Sequence, residues 1–117
     1  MSIRTERVAE LIKQELSHSL LRDVDTTGFG LLTVTEVSVT PDLRIAKVHV
    51  SHFQSGKTDE EVLKFLEDNA KDLRFAIGRT VRIKFTPELR FYIDHSLERV
   101  ERLEQLFRRI HEDEKQR

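Results

Sequence analysis

From Arg4 to Arg22 apolar residues return every three or four positions, at Val8, Leu11, Ile12, Leu16 and Leu20, with Arg4, Arg7, Glu10, Lys13 and Glu15 between them. That period places one apolar stripe along an α-helix. The stripe stops at RDVDTTGFG, whose Asp, Thr and Gly residues predict a loop. LLTVTEVSV, Leu31 to Val39, then alternates as a β-strand does, but its phase slips between Val34 and Val37, which predicts a bulge or burial on both faces. After a turn at TPDL, the run RIAKVHVSHF puts Ala46, Val48 and Val50 on one face and Lys47, His49 and Ser51 on the other. The two runs predict an antiparallel hairpin.

Thr58 stands three residues before Glu61, the spacing of a capping box, and opens a second helix with Val62, Phe65, Leu66, Leu73 and Ile77 as its stripe. A third extended run follows Gly78. Its odd positions Val81, Ile83, Phe85, Leu89, Phe91 and Ile93 are apolar and predicted to face the helices, which sends Arg82, Lys84 and Arg90 to the other side. Pro87 inside this run implies an edge strand or a local break. Leu97, Val100, Leu103, Leu106, Phe107 and Ile110 then mark a C-terminal helix, with Ser96 as its cap. The expectation is one α+β domain over residues 1–110, followed by a polar tail over 111–117. Its order is helix, strand, strand, helix, strand, helix, with helices on one face of a three-stranded mixed sheet whose second and third strands are parallel.

Composition changes this picture little. The 117 residues hold 20 basic and 21 acidic side chains, a formal charge of −1, which excludes a generally polycationic nucleic-acid binder but not a local basic face. There is no cysteine, so disulfides and thiolate metal sites are excluded. With no membrane-length apolar run and no secretory pattern in MSIRTERVAEL, a cytoplasmic protein is expected.

Most candidate chemistry fails on spacing. SHFQSGKT sits between a strand and a helix like a phosphate loop, but Ser51 stands where the first glycine is required, and Thr58 is needed as a cap. GFG at Gly28 to Gly30 leads into a strand and lacks the third glycine of a dinucleotide fingerprint. Asp94, His95 and Ser96 are consecutive and cannot relay a proton from one to the next. His49 and His52 point to opposite faces of a strand, so no shared metal is expected. No cofactor and no enzymatic activity are expected.

What remains is charge. Between Lys71 and Arg90 there are six cations, Lys71, Arg74, Arg79, Arg82, Lys84 and Arg90, against only Asp72 and Glu88. Such a cluster suits RNA phosphates, with Tyr92 beside Arg90 able to stack on a base. The element order is that of a type II KH domain, yet no two of the four glycines are three apart, so its GxxG clamp is absent. Three stretches, RVAELIKQEL at Arg7 to Leu16, GLLTVTEVSVTPDLRIAKVHVS at Gly30 to Ser51, and IGRTVRIKFTPELRFYIDHSLERVERLEQLFRRI at Ile77 to Ile110, resemble the bacterial ribosome-binding factor A family over nearly the whole chain.

The resemblance implies a monomeric, KH-like, non-enzymatic factor. It would bind the immature small ribosomal subunit and its rRNA, assist late rRNA maturation, matter most in the cold, and be released by ribosome-associated GTPases. The expected RNA contacts are Arg74, Arg79, Arg82, Lys84 and Arg90, with Arg4, Arg7, Arg44 and Lys47 outlying. The family's Ala-x-Gly kink falls here on Asn69, Ala70 and Lys71, so whether the second helix bends there stays open. The alternative is a protein-interaction module docking through the C-terminal amphipathic helix. From the missing glycine, calorimetry should detect no saturable micromolar binding of ATP or GTP; such binding lost on replacing Lys57 would show a working phosphate loop.

Overall fold

The computed structural model describes the backbone of residues 3–115 and the side chains of residues 3–96 and 102–110. In chain order lie α1 (Ile3–Arg22), β1 (Leu31–Val39), β2 (Ile45–Phe53), α2 (Asp59–Asp68), α3 (Ala70–Thr80), β3 (Glu88–Ile93) and α4 (Ser96–Lys115). The strands form one sheet in the order β1-β2-β3, the first pair antiparallel and the second parallel. This is the expected α+β arrangement, with the second helix divided in two.

β2 is the middle of the core: Ala46, Val48 and Val50 are fully buried. α1 lays Val8, Ile12, Leu16 and Leu20 against β1 and α3, while Val62, Leu66, Leu73 and Ile77 come from α2 and α3. Leu11, expected in the α1 stripe, is exposed, and Glu15, expected outside it, is buried. The Glu15 carboxylate is not stranded, because the Arg22 guanidinium at 3.2 Å and the Ser19 hydroxyl at 3.4 Å donate to it.

The slip in β1 is a bulge. Val34 pairs with Val50 and Glu36 with His49, leaving Thr35 without an opposite number. The freed Thr35 hydroxyl reaches over β2 and donates to Asp94 Oδ2 at 2.5 Å, just beyond the end of β3. Asp94 also accepts the Ser96 amide at 2.8 Å, which gives it an acceptor role at the start of α4. The glycine loop has a structural reason too. Gly30 has φ +63°, and a Cβ there would lie 2.3 Å from the Phe53 carbonyl oxygen, so no other residue fits. Phe29 beside it stacks on Phe65 with 4.2 Å between ring centroids. Thr58 caps α2 as expected, accepting the Glu61 amide at 3.2 Å.

The question left open at Asn69 is answered: the second helix breaks there (φ −99°, ψ 4°), and α3 continues through Gly78 to Thr80. Two expectations change. The third strand does not begin at Val81. Residues 81–87 form a loop and β3 starts only after the buried Pro87, so the proline marks both the break and an edge strand. Phe85, expected to face the helices, is 68% exposed. Helix α4 also extends through the expected polar tail to Lys115, and its Leu103, Leu106, Phe107 and Ile110 are exposed. Leu97 and Val100 lie outside the described side chains. No helix among the described residues is long and apolar enough to cross a membrane.

The bonds from Thr35 and Ser96 hold the Asp94 carboxyl down at about 2, below its ordinary 3.8. A depressed carboxylate stabilises the fold fully above its unfolded value, and that stabilisation disappears as pH falls through the folded one. Thr35→Val should therefore lower the melting temperature more near pH 5 than near about pH 2. An equal loss at both pH values would mean that the hydroxyl does not serve the carboxylate.

Candidate nucleic-acid interface

The break at Asn69 follows from local competition for a carbonyl. Its side-chain amide donates to the Phe65 oxygen at 2.9 Å, the acceptor its own backbone amide also uses at 3.2 Å, and ψ opens away from the helical value. The break turns the start of α3 toward the sheet edge. Between them lies a groove of about 520 Å³, with Glu67, Ala70, Lys71 and Arg74 on the helical wall and Glu88 to Tyr92 on the other.

The second wall is the free edge of β3. The Glu88 amide bonds to the Arg44 oxygen and the Asp94 amide to the Val50 oxygen, each at 2.8 Å. A strand alternates its peptide groups from side to side, so even residues serve β2 while the amides and carbonyls of Leu89 and Phe91 face away from it. The same alternation buries Leu89 and leaves Arg90 and Tyr92 exposed. In the parallel register Lys47 lies beside Arg90 and His49 beside Tyr92, and those two rings stack at 5.4 Å. Cations from α3 and β3 thus line one groove that also holds Ala70, Leu89 and Phe91.

Acidic neighbours temper the charge. Arg90 meets Glu88 at 3.4 Å, an exposed pair worth little. Arg74 also acts as a fastener, since its Nε donates to the Pro87 oxygen at 3.2 Å and an Nη to the Thr86 oxygen at 3.1 Å, tying the 81–87 loop to α3. Lys71 and Arg74 line an adjoining hollow of about 460 Å³ with Asp72, Phe75 and Thr86. The arrangement offers fixed positive charge, edge amides and exposed rings, which is binding chemistry.

His52 and His95 serve elsewhere. Asp59, at the start of α2, faces His52 Nε2 at 2.9 Å and His95 Nε2 at 2.8 Å, and His52 Nδ1 is 2.6 Å from the Ser55 hydroxyl. These contacts, that of His52 first, hold the Asp59 carboxyl below its ordinary value. Among the described residues no group of three His, Cys, Asp or Glu is placed to hold a metal ion.

The residues expected to contact RNA divide. Arg74 and Arg90 line the groove, and Lys47 lies beside Arg90 in the register without lining it. Arg4, Arg44 and Lys84 gather at a different hollow, around Phe85. Arg79 stands over the Phe75 ring at 5.2 Å. Arg82 is exposed on the 81–87 loop rather than on a strand face, and Arg7 is exposed on α1. Sequence reasoning counted Lys71 in the six-cation cluster but left it out of the expected contacts, whereas it lines the groove. It also gave Phe75 no role and assigned Phe85 to the helix-facing side, although the two rings are 67% and 68% exposed.

The chain matches the family model of Ribosome-binding factor A over residues 4–107. It is 40% identical to Ribosome-binding factor A of Chlorobium phaeobacteroides over 97% of this chain and 99% of that one. Against that of Halothermothrix orenii it is 39% identical, over 95% and 91%. The crystal structure of ribosome-binding factor A from Thermus thermophilus superposes with a TM-score of 0.68 at 26% identity, covering 76% of this chain and 94% of that one. A homology model of the Thermus thermophilus factor, fitted into a cryo-EM map of its complex with the 30S particle, gives 0.63 at 25% identity, covering 74% and 91%.

The two roles of Arg74, charge and fastening, can be separated. Arg74→Lys keeps the charge but not the paired hydrogen bonds to two carbonyls, so it should cost about 1 kcal/mol in chemical unfolding and speed amide exchange in residues 81–87. Unchanged stability and exchange would leave the loop held by other contacts.

Proposed function

Because the chain belongs to the ribosome-binding factor A family, we propose that it is a small-subunit assembly factor that holds an unpaired stretch of ribosomal RNA along the free edge of β3. The observation that carries this reading is the groove where Lys71, Arg74 and Arg90 converge on exposed strand-edge amides. A relative from Thermus thermophilus, described as fitted into a 30S complex, supports the small subunit as partner. Phosphates would lie on the cations while bases lie against Tyr92 and the apolar edge, as single strands are commonly recognised. The factor acts by binding rather than catalysis, as a cytoplasmic monomer that steadies late rRNA rearrangement. Its need grows in the cold, when misfolded RNA escapes slowly, and a ribosome-associated GTPase releases it.

A second reading has its own observation: α4 carries Leu103, Leu106, Phe107 and Ile110, each between 49% and 67% exposed, as an uncovered apolar stripe. In that reading the helix docks on protein and RNA contact is secondary. Co-sedimentation with small ribosomal subunits across a salt series separates the two. Lys71→Ala with Arg90→Ala should leave the melting temperature nearly unchanged and flatten the slope of log affinity against log salt by about 1.5 units, near 0.7 per lost contact to a single strand. A Leu106→Ser, Phe107→Ser variant should bind as wild type does. The reverse pattern would assign association to α4.

A further inference from the structure

A second hollow, of about 320 Å³, lies at the end of the sheet between the start of α1, the β1–β2 turn and the 81–87 loop. Its apolar lining includes Leu43, Ile83 and Phe85, and Arg4, Arg44 and Lys84 stand around it. Leu43 and Ile83 pack against the core, but Phe85 leaves 68% of its surface in water. An exposed ring at the end of a stapled loop adds little to the core, and its position beside three cations therefore asks for another account.

The charges are available. Neither Arg4 nor Arg44 forms a salt bridge among the described residues. The acid in the lining, Asp42, spends its carboxylate on the turn, accepting the Thr40 hydroxyl at 2.7 Å and the Arg44 amide at 3.1 Å. It offsets one of the three positive charges and leaves an excess. The Lys84 ammonium sits 5.5 Å from the centroid of the Phe85 ring, so the ring already faces a cation that can turn outward to a phosphate.

An aromatic floor with cations at its rim fits a nucleotide, whose base is flat and apolar on its faces and whose phosphate is anionic. Continuity supports that occupant. Lys84 and Phe85 line this hollow, Thr86 lines the hollow on α3, and Glu88 opens the groove. Phe85 and Glu88 are three residues apart, at most about 11 Å between Cα atoms, so one strand lying in the groove can reach both.

We infer that this hollow takes a single unstacked nucleotide of the RNA, with its base on Phe85 and its phosphate held by Arg4, Arg44 and Lys84. The inference rests on the groove reading above and extends the bound strand beyond it. It makes Phe85 a specific anchor for an unpaired base and limits the site to single strands or to loops that can turn a base out.

The test uses the full chain and a short single-stranded oligouridine carrying 5-iodouridine. Phe85→Ala should weaken binding about tenfold or more with an unchanged salt slope, because a stacking contact is lost and no charge is. Phe85→Trp should restore binding, the melting temperatures of both variants should match wild type, and irradiation should crosslink the oligonucleotide to the peptide containing Phe85. Equal affinity of Phe85→Ala and wild type, with the groove variants still impaired, would overturn this inference and leave the groove reading intact. Loss of small-subunit association by Phe85→Ala with oligonucleotide binding unchanged would also overturn it, assigning the ring to a protein contact. Failure of wild type to bind the oligonucleotide at all would sink both readings.

Discussion

The guanidinium of Arg74, bonded to the carbonyls of Thr86 and Pro87, holds the junction on which the groove between α3 and β3 depends. The loop it fastens connects α3 to β3 without regular structure, and its carbonyls would otherwise be free to wander. Gly78 lets the loop come close, since a Cβ there would already stand 3.1 Å from the Thr86 hydroxyl. Once Thr86 and Pro87 are fixed, Glu88 is delivered to the Arg44 carbonyl and β3 pairs with β2 from Ile45 to Val50. The groove, its edge amides and the placement of Arg90 and Tyr92 follow from that register.

Opposite this edge the helix breaks where an asparagine offers its side chain to a carbonyl of the preceding turn. The helix that restarts after this break places Lys71 in the wall of the groove. This is how a chain with a formal charge of −1 gathers a local group of cations: few are needed when Lys71 and Arg74 of α3 and Arg90 of β3 line one groove.

The far end of the sheet is secured by polar contacts rather than by packing. Asp59 joins the end of β2, the start of α2 and the residue before α4 through two imidazoles, while Asp94 joins the bulge in β1 to the first turn of α4. These carboxylates fix where α4 departs. The helix then carries its apolar stripe into solvent, which keeps a protein contact open in addition to the groove proposed for RNA.

Periodicity was enough to place α1, the β1–β2 hairpin with its bulge, the cap at Thr58 and the order of elements, because each depends on neighbours within a few residues. The alternation from Val81 to Phe85 misled for a reason the same signal cannot contain. A strand needs a partner, and β2 begins at Ile45, opposite Glu88, so nothing remains for residues 81–87 to pair with. Their side chains are strand-like, but their backbone has no ladder. The basic residues were legible as a set, since charge is written in composition. Their division between a groove and a separate hollow was decided by which loop lies against which helix, and that depends on long-range bonds such as Arg74 to Pro87, thirteen residues apart in the chain. What the sequence determined is therefore local geometry and charge, and what the tertiary structure decided is which of those charges share a surface.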